Sequence, residues 1–558
     1  MAGDTFTFMV GGKAGEGVKS AALVASAMFS AMGRSVFQND DYMSLIKGGH
    51  NFSVVTSAAK RKVLSPHMGA DLIVSLDQRS HDMHGAQVAD GGIEVLNSDA
   101  VKANVGNGVG IPMTTEAKRY PRPDLRLGVG GVAILASAIG MDLQDLMAVL
   151  EREFPKDLEN NKAYASTILA LAKGAGIAGR FILEKGGGGR RPIITGNEAI
   201  ALGMAAGGLD IYLAYPMTPA SSILHFLASN DRELGITVFH PENEIAVANI
   251  AIGAAATGAR SAVGTSAGGF ALMEEALSLA GMTETPLLCI LSMRPGPSTG
   301  VPTYSAQGDL MFALHQGHGD YPRLVASPGT VEEAYHLAAE MLDMVWRFQT
   351  PGILLTEKHL SEASMTVDID TGKTAWPDPV MHSSETGVYK RYLDTKDGIS
   401  PLLFPPSKEL IKWNSYEHDE KGITSEKPGV ISQMQEKRMR KEGAIIDRMK
   451  GMRTVNVFGR TGPVIFTYGS TTMSVLEALA VGGIEAKVVQ PIYLRPLPVW
   501  ELQKHEARGA IVVEQSAGGQ FATLLSDKLG IKDIKPIRRY DGRPFEPTEL
   551  AKAIKEAL

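Results

Sequence analysis

Short apolar runs alternate with longer stretches of helical periodicity along most of this chain. Residues 5–10 read as a buried strand, Gly11-Gly12-Lys13-Ala14-Gly15-Glu16-Gly17 as a tight turn, and the stretch opening at Val18 as a helix. The alternating residues 52–55 and the apolar residues 72–76 predict further strands, and helical spacing predicts helices over 131–154 and 163–178. The same rhythm returns with strands at 211–215, 261–266 and 286–292, and with a helix of small residues over 245–257. It returns a third time at 464–470, 487–492 and 510–515. Strands alternating with helices argue for open sheets covered by helices. The expected fold class is α/β, in three open α/β domains.

Breaks in the rhythm place the expected boundaries. A first domain covers 1–184, a Gly-rich linker 185–192, a second domain 193–375, an extended linker with helices 376–455, and a third domain 456–558. Gly186-Gly187-Gly188-Gly189 cannot hold a fixed geometry by itself, so its flanking domains are expected to move. Residues 376–455 are rich in Pro, Asp, Lys and Glu and read as a long connection packed over the surface, with a solvated helix over 430–449.

Composition narrows the function classes. The 558 residues are 44% hydrophobic and 21% charged, which is ordinary for a globular protein. A net charge of -6 gives no basic footprint for nucleic acid. No cationic segment precedes an apolar run at the N-terminus, so no signal peptide is expected. No apolar stretch reaches membrane-spanning length without interruption, so no membrane contact is expected. Cys289 is the single cysteine and lies in an apolar strand pattern. One thiol can neither close an internal disulfide nor hold an iron–sulfur cluster. It is expected to be a small core residue, and the compartment the cytoplasm.

The candidate chemistry gathers between 211 and 309. Tyr215-Pro216-Met217-Thr218-Pro219 is a turn stiffened by two prolines. It fixes Thr218 at a strand end, where ligands sit in open α/β sheets. Glu242 and Glu244 precede the helix of small residues. Acidic residues there can simply offset the helix dipole. A helix so poor in bulk, however, packs close to backbone or to another subunit. Glu244 at its mouth would then be desolvated and able to share a proton with a ring nitrogen. Arg294 follows a buried strand directly and can fork onto a carboxylate or form a structural ion pair. In the first domain, the Gly11–Gly17 turn misses both the phosphate-loop and dinucleotide spacings, so a close-packing turn and an anion site both stay open. Lys47, before Gly48 and Gly49, reads either as a solvated loop lysine or as an ammonium aimed into a cleft.

These motifs resemble the α subunit of the 2-oxoacid:ferredoxin oxidoreductases. The likeness rests on the 215–219 turn, Glu244, the Gly-Thr-Ser-Ala-Gly-Gly-Phe run at 264–270, and residues 294–303. Met217 departs mildly from the usual isoleucine. Glu417-His418-Asp419-Glu420-Lys421-Gly422, the basic residues around 437–441 and Tyr540-Asp541-Gly542-Arg543-Pro544-Phe545 are also similar to the family. Residues 1–184 resemble its γ domain fused ahead of α. The middle domain resembles a pyrimidine-binding domain of thiamine diphosphate enzymes, and the last a transketolase C-terminal domain, to which no catalytic residue is assigned.

The resemblance implies oxidative decarboxylation of a 2-oxoacid to an acyl-CoA, with electrons passed to ferredoxin. It implies that Glu244 bonds the thiamine aminopyrimidine and that Tyr215, Pro216 and Thr218 form the cofactor turn. It also implies that Arg294 holds the substrate carboxylate, with Thr303, Lys47 and Thr218 at the substrate. No metal ligand is expected on this chain. The Gly-Asp-Gly metal motif of thiamine enzymes is absent from it. Mg2+, the cofactor diphosphate and a [4Fe-4S] cluster are therefore expected on a β subunit, with coenzyme A as co-substrate and a dimer of αβ heterodimers as the assembly. The segment 297–300 and Thr303 favour 2-oxoglutarate. Tyr304, where a basic residue is expected, leaves pyruvate or a branched-chain 2-oxoacid open. A reading of another class is a non-catalytic nucleotide-binding or scaffold subunit using the Gly11–Gly17 turn.

Overall fold

A computed structural model describes residues 4–43, 49–102, 108–383, 388–505 and 509–558. The chain divides into two compact units, one of residues 1–194 with 363–368 and 546–548, the other of the remainder. The fold is α/β with three open sheets, as the apolar rhythm predicts.

The first unit is built on an eight-stranded sheet. Its centre is Thr5–Lys13, parallel to Ala70–Ser75 on one side and antiparallel to His50–Ala58 on the other. The Gly-rich turn leads straight into the helix Val18–Ala31. Gly17 has positive φ and sits against Gly128 of the helix Pro123–Ala138, so a side chain at either glycine would push these helices apart. The single helix expected over 131–154 is two, Pro123–Ala138 and Leu143–Glu153. Gly140 turns the chain with positive φ and the Asp142 side chain caps the second helix, a break that apolar periodicity alone conceals. The polyglycine segment begins tied down. Gly186 N–H donates to the Met32 carbonyl, and Arg34 donates to the Glu184 carbonyl at 2.7 Å.

The second unit carries a seven-stranded sheet in the order Tyr493–Arg495, Leu324–Ala326, Pro351–Glu357, Leu287–Met293, Ser261–Thr265, Ile211–Leu213, Thr237–Phe239. All pairs are parallel except the first. The chain runs from Ile211–Leu213 out to the edge strand Thr237–Phe239 and returns on the far side at Ser261–Thr265. That reversal is a topological switch point, which opens a crevice at the strand ends. A five-stranded sheet built from 455–538 packs beside it, and the two share one core in which Cys289, Phe270, Phe466, Val489 and Phe521 are all buried.

The segment expected to lie over the surface is partly interior. Arg391 and Tyr392 are fully buried, and the helix Pro428–Lys450 buries Lys437, Arg438 and Lys441. The helix is therefore not a solvated one. Glu284 accepts two hydrogen bonds from Lys437 Nζ at 2.7 and 2.9 Å and pairs with Lys441, and Arg438 pairs with Glu417. Among the described residues, no helix is long and apolar enough to cross a membrane.

Candidate active site

Several of the candidate residues lie at the carboxyl ends of the strands that flank the switch point, or at the start of a helix beside it. The strand Ile211–Leu213 ends two residues short of Tyr215, so the proline-bounded turn begins as free backbone at the sheet edge. Tyr215 is half-exposed and meets His240 edge to face, ring centres 5.6 Å apart. Pro216 is exposed, whereas Pro219 is buried and its carbonyl accepts from Asn197 Nδ2 at 2.7 Å. The turn is thus anchored at its far end and open at its near end.

Glu244 is the first residue of the helix Glu244–Ala256. Asn243 makes the cap, accepting from the Ala246 N–H at 2.9 Å. Glu244 is released from that duty and is only 4% exposed, whereas Glu242 lies on the surface. The two acidic residues therefore separate into an exposed one and a buried one. Among the described residues no hydrogen bond or ion pair engages the Glu244 carboxylate. The carboxylate is thus free to meet a ligand donor at the mouth of the helix. Gly269 makes room for it. A Cβ there would stand 2.7 Å from Glu244 Oε1 and 2.2 Å from Thr265 Oγ1. The Gly-Thr-Ser-Ala-Gly-Gly-Phe run thereby acquires a physical reason: its third glycine is the floor beneath the acid. A carboxylate without a protein partner, seated in the space Gly269 leaves, can accept from or share a proton with an aminopyrimidine ring nitrogen, so the residues present fit the pyrimidine end of thiamine diphosphate.

Arg294 is 7% exposed and follows the strand Leu287–Met293. Its Nη1 donates to the Thr218 carbonyl oxygen at 2.7 Å, joining two of the expected site residues. Its Nε has no partner, and burial pulls the guanidinium below its usual range. Thr303 is buried on the loop that follows. Gly300, with positive φ, folds that loop back so closely that a Cβ would strike the Pro295 carbonyl. Lys47 lies outside the described residues.

Sequence reasoning gave no role to several residues around this centre. Asp309 stands before an apolar helix and so reads as an ordinary cap. It makes no cap bond; Gln520 Oε1 accepts from the Met311 N–H at 2.9 Å instead. Asp309 Oδ2 is buried without a partner, and burial drives its carboxyl up to about 6 against the pull of Arg294. The 540–545 motif braces the loop that carries Thr303. Ser305 N–H donates to the Gly542 carbonyl at 3.0 Å, and the Arg543 guanidinium lies 3.8 Å over the Tyr304 ring. A basic group therefore does reach the position where Tyr304 stands, but from the other end of the chain, where local sequence gives no signal.

Comparison with known proteins agrees with this geometry. A family profile described as pyruvate flavodoxin/ferredoxin oxidoreductase, thiamine diP-bdg, matches residues 202–437, and one described as pyruvate ferredoxin/flavodoxin oxidoreductase matches 7–172. The 2-oxoacid:ferredoxin oxidoreductase subunit alpha of Saccharolobus solfataricus is 30% identical, over 99% of this chain and 98% of its own. The chain belongs to the 2-oxoacid:ferredoxin oxidoreductase α-subunit family. The 2-oxoglutarate synthase subunit KorA of Archaeoglobus fulgidus is 31% identical over 58% of this chain and 88% of its own. The solved 2-oxoglutarate:ferredoxin oxidoreductase from Magnetococcus marinus, with 2-oxoglutarate, coenzyme A and succinyl-CoA bound, superposes with a TM-score of 0.91 at 27% identity over 99% of both chains. This α subunit is thus an oxidoreductase chain whose relatives are parts of multi-subunit enzymes, which sets the scaffold reading aside.

Proposed function

We propose that this chain is the α subunit of a coenzyme A-acylating 2-oxoglutarate:ferredoxin oxidoreductase, converting 2-oxoglutarate reversibly to succinyl-CoA with electrons to ferredoxin. The observation that carries the reading is the buried, unpartnered Glu244 above Gly269, with Arg294 held to Thr218 nearby in the same crevice. Thiamine diphosphate, when bound, would supply the electron sink for decarboxylation. Glu244 would hold a shared proton at its carboxylate toward the aminopyrimidine, and Tyr215, Pro216 and Thr218 would form the wall of the cofactor turn. Arg294 would bind and orient the substrate carboxylate until it leaves. Thr303 would contact the rest of the acid, and Lys47 is assigned its part on sequence alone.

Three features favour 2-oxoglutarate over the other acids. Thr303 is buried on the Gly300 loop, Arg543 brings a cation to Tyr304, and the Archaeoglobus and Magnetococcus relatives bear 2-oxoglutarate in their names. A steady-state comparison of 2-oxoglutarate, pyruvate and a branched-chain 2-oxoacid tests the preference, and a lower kcat/KM for 2-oxoglutarate than for either rival refutes it.

A β subunit would carry the diphosphate, Mg2+ and [4Fe-4S] sites, in a cytoplasmic dimer of αβ heterodimers. Apolar side chains left exposed on elements around Glu244 support a partner there: Tyr215, Phe239, Ile245 and Ile250. The test of the cofactor role is Glu244→Ala in the co-purified complex. Turnover should vanish and thiamine diphosphate affinity should fall while the assembly stays folded. Near-normal turnover refutes the assignment.

A further inference from the structure

Asp309 is the charged group in this crevice that the reading above leaves unused. Three observations set it apart. It occupies the cap position of the helix Leu310–Leu314 but caps nothing, because Gln520 has taken the Met311 N–H. Its Oδ2 is buried and unpartnered. It shares a field with Arg294, each acting on the other, yet the two make no direct ion pair. Arg294 is meanwhile oriented by the Thr218 carbonyl, a neutral acceptor that supplies no counter-charge. Asp309 also acts on the buried Tyr468 phenol, which its surroundings hold neutral.

We infer that Asp309 is a positioning residue of the 2-oxoacid site, a resident counter-charge that stands in for the substrate carboxylate at Arg294 and takes up a proton when that carboxylate arrives. The inference rests on the reading of Arg294 as the carboxylate anchor. In the empty crevice an ionised Asp309 offsets a buried guanidinium that would otherwise face low dielectric alone. A substrate carboxylate arriving at Arg294 brings a second negative charge close to the first, and like charges sharing one site drive one of them to protonate. Binding therefore consumes one proton, which Asp309 holds. When the carboxylate departs as carbon dioxide, Asp309 returns that proton to solvent and again becomes the counter-ion of Arg294. An aspartate in ordinary ion pairing with Arg294 could not do this, since it would block the fork the substrate needs.

The test is the pH dependence of KM and kcat for 2-oxoglutarate in the co-purified complex, from pH 6 to 8.5. In the natural protein KM should climb by up to tenfold per pH unit above about pH 6, where Asp309 loses its proton in the empty site. Asp309→Asn keeps the shape and removes the charge. Its KM should be nearly constant across the range, and lower than that of the natural protein at pH 8, with kcat within about threefold. Asp309→Glu keeps a titratable group and should keep the slope. An Asn variant that retains the slope, or that raises KM equally at every pH, overturns the inference, as does a Glu variant that loses the slope. Arg294→Ala is run alongside. If it leaves KM unchanged, the carboxylate-anchor reading itself has failed. If it raises KM while Asp309→Asn changes nothing, only the role of Asp309 has failed.

Discussion

The Arg294 guanidinium donates to the Thr218 carbonyl oxygen at 2.7 Å, so a side chain after one strand locks the backbone of a turn after another. The bond is made to the main chain, and the Thr218 hydroxyl is left available. The two residues are therefore separable by mutation. Arg294→Ala removes a charged hydrogen bond and the proposed substrate fork together, a loss of about 1.5–3 kcal/mol. KM for the 2-oxoacid should rise roughly ten- to hundredfold. Arg294→Lys should recover only part of this, since an ammonium cannot bond the carbonyl and present a planar fork. Thr218→Ala keeps the anchor and should move KM far less than Arg294→Ala does. Steady-state kinetics on the three variants in the complex checks the order.

Gly269 should tolerate no side chain. An added methyl would press on Glu244 Cγ and Oε1 at 2.7 Å and on Thr265 Oγ1 at 2.2 Å. Overpacking a filled site costs about 1–3 kcal/mol. Because one of the displaced atoms is the proposed proton-sharing oxygen, Gly269→Ala should lower kcat at least tenfold while the thermal midpoint falls by only a few degrees. The neighbouring Gly268, with open space at its Cβ position, is the control. Gly268→Ala should leave both quantities nearly unchanged.

The central strands were legible because buried strands announce themselves as apolar runs, whereas the short edge strands and the order of pairing were not. Glu244 and Arg294 drew notice as candidates because one opens a helix of small residues and the other follows a buried strand. What stayed hidden depends on contacts between distant segments. Asp309 looks like a helix cap until Gln520, more than two hundred residues on, is seen to hold the capped N–H. Arg543 looks like a turn residue until it stacks on Tyr304. The helix Pro428–Lys450 looks solvated because its cations form no apolar stripe, and their acid, Glu284, lies about 150 residues earlier. Charge pairing over such separations leaves no periodic trace in a single sequence.

That buried group should dominate the response of the second unit to mutation. Glu284 is almost wholly inside, with Lys437 and Lys441 on its carboxylate and Arg391 bonded to its carbonyl at 2.6 Å. The two lysines hold its carboxyl well below the usual range although burial opposes them. Glu284→Ala would strand those cations in low dielectric, and removing one partner of a buried pair costs about 3–5 kcal/mol. Urea denaturation should show a drop in unfolding free energy of that size. A drop below about 1 kcal/mol would mean that water reaches the cluster. The depressed carboxyl also has a sign: its stabilising contribution is present above the ordinary carboxylate pKa and is lost as the pH falls below it.

Glu357 should give the opposite pH dependence. It ends the strand Pro351–Glu357 and is fully buried, with Oε1 accepting from the Ser470 N–H at 2.8 Å and Oε2 unpartnered near Ser327 and Gly469. Burial pushes its carboxyl up to about 7, against an ordinary 4.5. A raised acid is fully favourable to the fold only below its unfolded pKa. As the pH climbs from 4.5 through about 7 the unfolded chain ionises first, and the contribution is lost progressively. At about 1.4 kcal/mol per pH unit the window is worth about 3 kcal/mol. The stability difference between the natural protein and Glu357→Gln, measured by urea denaturation, should therefore shift by about that amount between pH 5 and pH 8, with the natural protein favoured at the acid end. A difference that stays flat across this range would mean that Glu357 is already ionised inside the fold and that a donor other than Ser470 is satisfying it.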